Sequence, residues 1–152
     1  MATAYSHVGL CVTDLQRSRR FYEEVFGFRA AFEFGTDGPD TATLLRLEGP
    51  LRLDALYLAL DGLLLELLAF DRLAPATSRV LNEPGLTHLS LFVDDLDAVR
   101  AAVPACGGTV REDTNVGPAL FVEDPDGQAI EVIGPGGRFR DLRERALRDL
   151  EA

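Results

Sequence analysis

The chain has 152 residues and a formal net charge of -10; 47% of its residues are hydrophobic and 26% are charged. These values are typical of a soluble globular protein with one domain or two small fused units. All of its basic residues are Arg, and the absence of Lys excludes an internal Schiff base, a P-loop and a lysine general base. An acidic chain without a basic stripe is also a poor candidate for binding nucleic acid or an anionic membrane.

No part of the sequence is typical of a signal peptide or a membrane span. The N-terminus leads almost directly into a strand-like run, and four charged residues interrupt the Leu-rich residues 51–70. Cys11 and Cys106 are too few for a disulfide scaffold, and their spacing is not that of a zinc motif. We therefore expect a soluble cytoplasmic protein with reduced thiols.

The first half of the chain is predicted to contain four strands and a helix. Alternating apolar residues predict strands at 5–12, 28–34, 53–60 and 63–70. The Asp61-Gly62 pair between the last two strands is the strongest hairpin signal in the sequence. A helix over 15–26 follows the first strand, with Thr13 or Asp14 as its N-cap and Gly27 at its end.

An insertion over residues 35–50 separates the second and third strands. It is predicted to hold a short helix over 41–48 with Asp40 as its N-cap. Because it adds about sixteen residues to the first half relative to the second, we expect it to act as a lid over a site. A polar connection over 71–85, with a predicted helical turn, then links the two halves.

The second half repeats this order. Strands are predicted at 86–93, 109–113, 119–123 and 128–133, and a helix is predicted from Asp95 or Leu96 to Cys106, with Pro104 distorting its last turn. Residues 135–152 form a Gly-rich link and a C-terminal helix whose apolar side is expected to pack on the domain or on a partner chain. The predicted organisation is therefore a first module over 1–70, a linker over 71–85, a second module over 86–134 and a tail.

Two motifs of the first half return in the second half. Ser6-His7, followed by an apolar-rich run and an Asp-Leu pair, returns as Thr87-His88 with the same continuation. Asp61-Gly62, followed by apolar residues and Glu66, returns as Asp126-Gly127 followed by Glu131. Each half therefore supplies one His early and one Glu late, and such self-similarity indicates a duplicated unit.

The four repeated residues His7, Glu66, His88 and Glu131 are candidate metal ligands. Strand alternation places each of them on a face with small or apolar neighbours, where an unpaired carboxylate is costly, and the strands around both Glu residues contain no base. Two imidazoles and two carboxylates neutralise a divalent cation, and this N/O set suits Fe, Co, Ni, Mn or Zn. Taken singly, a buried His or strand Glu is more often a hydrogen-bonded core residue; the repetition favours a metal.

The same residues resemble the vicinal oxygen chelate superfamily, which includes glyoxalase I, methylmalonyl-CoA epimerase, extradiol dioxygenases and bleomycin or fosfomycin resistance proteins. The resemblance covers residues 5–134 and lies in His7, Asp14-Leu15, Phe21-Tyr22, Gly27 and the runs at 65–68, 87–90 and 123–131. It implies an α+β fold of two βαβββ modules whose mixed sheets curl into a cup around a metal. It also implies a homodimer and places the four residues at the family's ligand positions.

The resemblance further implies proton transfer on a small substrate chelated through neighbouring oxygens, by an isomerase, an epimerase or a glyoxalase-like lyase. The base would be Glu66 or Glu131, loosened from the metal, or a metal-bound water. Cys11 and Phe70 stand where glyoxalase I has glutathione-binding residues, and this argues against glutathione. The run at 65–68 is more similar to the epimerases, although the candidate anchors for coenzyme A, Arg46, Arg52 and Arg72, are better explained as surface charges.

Two alternatives from the same family stay open. A drug-binding resistance protein would use an apolar groove lined by aromatic residues such as Phe70, Phe92 and Phe121 and would need no metal, whereas buried carboxylates argue against that use. An Fe(II) dioxygenase would bind the metal through two His and one Glu. Both His residues of this chain are already assigned as ligands, so the additional pocket His of extradiol ring cleavage has no counterpart.

Overall fold

The first half of the chain forms a four-stranded sheet with a helix on one face. The computed structural model describes residues 3–75, 80–136 and 138–151, and the chain divides into two units, Met1–Ser78 and Arg79–Ala152. The elements of the first unit are β1 (Val8–Cys11), α1 (Leu15–Phe26), β2 (Arg29–Thr36), α2 (Pro39–Leu45), β3 (Leu53–Leu60) and β4 (Leu63–Phe70). The strand order is β1-β4-β3-β2, with β1 parallel to β4 and the other neighbours antiparallel.

The second unit has the same topology. Its elements are β5 (Leu89–Phe92), α3 (Leu96–Ala105), β6 (Thr109–Arg111), a 3-10 turn (Glu112–Thr114), β7 (Ala119–Glu123), β8 (Ala129–Ile133) and α4 (Arg138–Glu151). The strand order is β5-β8-β7-β6, with β5 parallel to β8. The prediction of an α+β fold with two βαβββ modules and a C-terminal helix is confirmed, and α2 is the helix by which the first module exceeds the second.

Helix α1 has the bounds that its sequence signals predict. The Asp14 carboxylate accepts hydrogen bonds from the backbone N–H groups of Gln16 and Arg17 at 2.9 and 3.0 Å. Gly27 ends the helix in the left-handed region, with φ of 75°, where a side chain would be strained. The second module repeats the N-cap, because the Asp95 carboxylate accepts from the N–H of Ala98 at 2.9 Å.

Strand alternation separates a helix-covered face from a polar face in each sheet. In β4, Leu65 and Leu67 are fully buried on the side that α1 contacts, whereas Glu66 between them points to the opposite face. In β8, Ile130 and Val132 are likewise fully buried. The residue between them, Glu131, therefore lies on the opposite face of its own sheet. The hydrophobic core of each module thus fixes the face on which its carboxylate lies.

The insertion forms a helix two residues earlier than predicted. Gly38 is the N-cap of α2 and Pro39 its first residue, so the prediction of Asp40 as the N-cap is wrong. Pro is favoured at the first helical position because its fixed φ suits the helix and it has no N–H to leave unpaired, and Asp40 instead lies in the first turn, where a carboxylate complements the helix dipole. The helix ends at Arg46 in the left-handed conformation rather than at Gly49.

The insertion packs on the same face of the first sheet as Glu66. Ala42 of the insertion forms a buried cluster with Leu51, which follows the insertion, and with Leu53 of β3; Leu68 and Phe70 also pack against this cluster. Leu68 and Phe70 lie two and four residues after Glu66 on β4, so they share its face. The insertion therefore covers one end of the Glu66 face, while its action as a lid stays a prediction.

Several other boundaries differ from the predictions. Strands β1 and β5 begin one residue after His7 and His88, so each His lies just before its strand rather than within it.

The apolar side of the tail helix does not pack on the domain. Phe139, Leu142 and Leu150 are exposed, so the prediction of packing on the domain is wrong, and packing on a partner chain stays a prediction. Within the described residues no helix is long and apolar enough to cross a membrane. Part of the predicted turn in the connection falls at 76–79, outside the described residues.

The two N-caps give a prediction about stability. We expect Asp14→Ala and Asp95→Ala each to lower the free energy of unfolding by about 1 kcal/mol, because each leaves backbone N–H groups of a first helical turn unpaired. Urea unfolding followed by circular dichroism measures this loss. Asp37→Ala, an exposed Asp outside the helices, is the matched control and is expected to unfold like the parent protein. Equal stabilities of all four proteins would contradict the assigned caps.

Candidate metal centre

The parallel pairing of the first and last strands brings His7 to Glu66. Gly9 of β1 is the register partner of Glu66 on β4, and His7 lies two residues before Gly9 on the same side of the chain. The imidazole Nε2 of His7 is 3.1 Å from Oε2 of Glu66. These two residues are 59 positions apart in sequence, so the strand register alone makes them neighbours.

The second module forms an equivalent pair. Ser90 of β5 is the register partner of Glu131 on β8, and the Nε2 of His88 lies 3.7 Å from Oε2 of Glu131. The Ser90 hydroxyl donates a hydrogen bond to the same oxygen at 2.7 Å. Each module therefore presents one imidazole nitrogen and one carboxylate side by side.

A hydroxyl group orients each imidazole. The Ser6 hydroxyl lies 2.9 Å from Nδ1 of His7, and the Thr87 hydroxyl lies 2.9 Å from Nδ1 of His88. Engagement of Nδ1 leaves Nε2 facing the carboxylate and sets the ring orientation, as the outer hydrogen bonds of metal-bound His residues do. The hydroxyl residue before each His belongs to the sequence repeat, and the structure gives it this contact in both copies.

A phenol completes the surroundings of Glu66 but not those of Glu131. Tyr57 is the β3 partner of Glu66, and its hydroxyl donates to Oε1 of Glu66 at 2.5 Å. Burial, together with this hydrogen bond, raises the pKa of Tyr57 from 10.0 to about 12, so the phenol keeps its proton and remains a donor at neutral pH. Phe121 occupies the corresponding place opposite Glu131 and has no hydroxyl. Both rings contact the adjacent imidazole edge-on, at 5.3 Å from His7 and 5.2 Å from His88.

Gly9 leaves the space in which the carboxylate of Glu66 lies. A side-chain carbon added to Gly9 would lie 3.5 Å from Oε2 of Glu66 and 3.3 Å from Cδ1 of Leu68. Further atoms on that carbon would therefore crowd the carboxylate. In the second module the corresponding residue is Ser90, which is small and donates to the carboxylate instead.

The structure thus brings the predicted residues together as two pairs. Across residues 3–75, 80–136 and 138–151, no three His, Cys, Asp or Glu side chains are grouped so that they could hold a metal ion. The two carboxylates also differ in environment: the side chain of Glu66 is 11% exposed, whereas that of Glu131 is 30% exposed. A single site made from all four residues remains a prediction.

The sequence did not indicate Tyr57 as part of the site. A two-residue turn at Asp61-Gly62 pairs Leu60 with Leu63, and counting back along both strands from that pair places Tyr57 opposite Glu66. The signal was therefore available from the hairpin register and not from Tyr57 itself. The corresponding loop between β7 and β8 is longer, so the pairing of Phe121 with Glu131 could not be counted in this way.

Three Arg residues, Arg52, Arg72 and Arg140, have described contacts near the ends of the two sheets. Arg72 donates to the carbonyl oxygens of Glu48 and Pro50 at 2.9 and 2.7 Å, and Arg52 lies 3.5 Å from Asp54. Two of the candidate anchors for coenzyme A are therefore engaged with the insertion and its neighbouring strand. In the second module the Arg140 guanidinium lies 5.1 Å from the centre of the Phe92 ring, on the face shared with Ser90.

The comparisons with known proteins agree with this architecture. Residues 4–132 match the family described as the glyoxalase/bleomycin resistance protein/dioxygenase superfamily. Over 130 residues the chain is 29% identical to the uncharacterized protein YaeR of Escherichia coli (strain K12), a match that covers 83% of this chain and 92% of YaeR. The family match covers most of the sequence, and the chain belongs to this superfamily.

Solved structures of three relatives share the fold. A glyoxalase family protein from Bacillus cereus superimposes with a TM-score of 0.75 at 15% identity, covering 88% of this chain and 95% of that chain. The trypanothione-dependent glyoxalase I of Leishmania major gives 0.65 at 22% identity, covering 99% and 96%. The fosfomycin resistance protein FosX of Listeria monocytogenes, solved with Mn(II) and a sulfate ion, gives 0.60 at 17% identity, covering 93% and 99%.

The environment of Tyr57 gives a prediction about pH. Burial and, after it, the hydrogen bond to Glu66 raise its pKa above the ordinary value of 10.0 to about 12, so the stability that depends on the protonated phenol is present below pH 10 and is lost as the pH rises to about 12. Ultraviolet titration of tyrosinate should therefore show a component near pH 12 that Tyr57→Phe removes. A difference titration centred on the ordinary tyrosine value would contradict the buried, hydrogen-bonded environment of Tyr57.

Proposed function

We propose that this chain is a divalent-metal-dependent enzyme that transfers a proton on a small substrate chelated through neighbouring oxygens. The metal ligands in this proposal are His7, Glu66, His88 and Glu131, supplied by one chain or by two. The observation that carries the proposal is the repeated His–Glu pair, in which each Nδ1 contacts a hydroxyl and each Nε2 faces a carboxylate. The described contacts of these carboxylates include no guanidinium.

The donor set fits a divalent ion. Glu66 is buried, and its described partners are a phenol and an imidazole rather than a permanent cation, so a bound cation would offset the cost of burying its charge. Two carboxylates balance the charge of the ion, and the mixed nitrogen and oxygen donors suit Fe, Co, Ni, Mn or Zn. When bound, such an ion supplies electrostatic stabilisation of negative charge that develops on the substrate oxygens.

The two carboxylates suit different tasks. Glu66 is held on both oxygens, by Tyr57 at Oε1 and by His7 at Oε2. Glu131 is more exposed, and its described contacts, with Ser90 and His88, are both at Oε2. We propose that Glu131 accepts the substrate proton and that Glu66 remains a ligand, because a general base must move to within hydrogen-bond reach of its proton.

The faces beside the two pairs favour a small substrate with an apolar group. Phe32 is stacked on Tyr57 at 4.2 Å and is 52% exposed, and Phe34 lies on the same face of the sheet. By the resemblance to glyoxalase I, Cys11 and Phe70 stand where that enzyme has glutathione-binding residues. This apolar surface supports an isomerase, epimerase or glyoxalase-like lyase whose substrate is not a glutathione adduct.

A metal-free drug-binding protein of the same superfamily is the second candidate. The exposed Phe32 and Phe34 favour it, because exposed aromatic faces are suited to binding flat apolar molecules. The repeated His–Glu pairs favour a metalloenzyme, since a simple apolar binder gains nothing from buried carboxylates. An Fe(II) dioxygenase is the third candidate.

We also propose that the protein is a cytoplasmic homodimer, for which the exposed apolar side of α4 offers a surface.

Metal binding by purified variants tests the ligand set. We expect the parent protein to bind one divalent ion per chain, and we expect His7→Ala, Glu66→Gln, His88→Ala and Glu131→Gln each to weaken binding strongly, because each removes one donor. Titration calorimetry with Zn2+ and Mn2+, together with elemental analysis, measures this. Glu33→Gln is the matched control, since Glu33 is a strand Glu on the face opposite Phe32 and Phe34. Binding by the parent protein that no ligand variant weakens would contradict the proposal.

Solvent exchange tests the reaction. We expect the Co2+- or Ni2+-loaded protein to catalyse deuterium uptake, followed by NMR in D2O, at the carbon beside a carbonyl in a panel of 2-oxoaldehyde hemithioacetals and branched acyl thioesters. Glu131→Gln, assayed at a metal concentration that restores its metal content, should abolish the uptake because the proposed base is lost, whereas Glu33→Gln should retain it. Oxygen consumption with catechols in place of exchange would favour the dioxygenase, and tight drug binding by metal-free protein would favour the resistance protein.

A further inference from the structure

We infer that Tyr57 is a positioning residue. Its hydroxyl holds the Glu66 carboxylate in place, so that Glu66 stays bound to the ion of the proposed metal site. The inference rests on the proposed function, because it concerns how one proposed ligand is presented to the ion. Tyr57 lies outside the repeated His and Glu motifs, so the two modules would present their carboxylates in different ways.

The hydroxyl of Tyr57 leaves Glu66 with one oxygen to offer. Oε1 accepts the phenol hydrogen bond at 2.5 Å, the short distance expected for an O–H donor and an ionised carboxylate. Oε2 instead faces Nε2 of His7 at 3.1 Å. A cation between the imidazole and the carboxylate would therefore meet Oε2, while Oε1 stays occupied by the phenol.

The phenol is itself held firmly. Tyr57 is only 8% exposed, and its ring stacks on Phe32 at 4.2 Å with an interplanar angle of 19°. Its other side meets the His7 ring edge-on at 5.3 Å. Because β3 and β4 are joined by a tight hairpin, the backbone also places Tyr57 directly opposite Glu66. The hydroxyl can therefore restrain the carboxylate rather than follow it.

The second module lacks this restraint. Phe121 has the position and the imidazole contact of Tyr57 but no hydroxyl, so Oε1 of Glu131 receives nothing from it. The hydroxyl that contacts Glu131 comes from Ser90 on β5, the neighbour of β8 on the side away from Phe121, and it donates to Oε2. The side chain of Glu131 is also the more exposed, at 30% against 11% for Glu66. The phenolic oxygen of Tyr57, the hydroxyl of Ser90 and the difference in exposure thus distinguish the two carboxylates, and only Glu66 is held at Oε1.

The substitution Tyr57→Phe tests the inference, because it removes one oxygen atom and installs the residue that the second module already carries. We expect the affinity for Zn2+ to fall about 10- to 100-fold, the usual effect of losing a hydrogen bond to a metal ligand. Release of the ion to an excess of chelator should accelerate, and the visible spectrum of the Co2+-loaded protein should change. Tyr5→Phe, at an exposed position, is the matched control and should retain the parent affinity, release rate and spectrum.

Two further variants make the result specific. In a Glu66→Gln background, Tyr57→Phe should weaken binding less than it does in the parent protein, because the phenol acts through the Glu66 carboxylate. Phe121→Tyr places a hydroxyl opposite Glu131 and should slow release of the ion. It tests the same idea even if Tyr57→Phe fails to fold.

The outcomes separate this inference from the proposed function. A parent protein that binds no divalent ion overturns the proposed function. Tight binding by the parent with an unchanged affinity, release rate and spectrum in Tyr57→Phe overturns the inference alone. An equal loss of affinity from Tyr57→Phe in both backgrounds would also overturn it, because the phenol would then act by some route other than Glu66.

Discussion

The burial of a carboxylate without a permanent cation is the constraint on which this site depends. Glu66 lies between two fully buried leucines on a strand whose other face packs against α1, so its side chain has only the opposite face available. There its described partners are a phenol and an imidazole. Both can donate a hydrogen bond, yet neither carries a fixed positive charge, and this is why we propose that a cation from solution offsets the cost of burying the Glu66 charge.

The duplicated architecture could be predicted because its signals are local and strong. The Asp14 cap and Gly27 give α1 its correct bounds, and Asp61-Gly62 gives both strands of the hairpin their correct bounds. The bounds of α2 differ from the predicted ones, because Pro39 begins the helix and Asp40, the predicted N-cap, lies in its first turn. The spacing of apolar residues in α4 predicts a packing surface, but the sequence of the helix does not determine what would cover that surface.

The sequence could predict which residues form the pairs but not that they lie close together. His7 and Glu66 repeat as His88 and Glu131, so the repeat identifies the candidates, but their proximity depends on parallel strand register between distant segments. Membership of the superfamily supports the same architecture, since residues 4–132 match it. The phenol of Tyr57 has no counterpart in the second module, where Phe121 has the equivalent position, so a search for residues that repeat in both halves does not find it.

The tight hairpin has a consequence for folding fidelity. A slip of β3 against β4 by one residue would turn Leu56 and Leu58 onto the polar side and send the phenol of Tyr57 toward the helix. A molecule with this shifted register would lose both its apolar interior and the hydrogen bond between Tyr57 and Glu66. If the proposed metal site is correct, an ion would stabilise only chains with the correct register, because only those chains place the proposed ligands side by side.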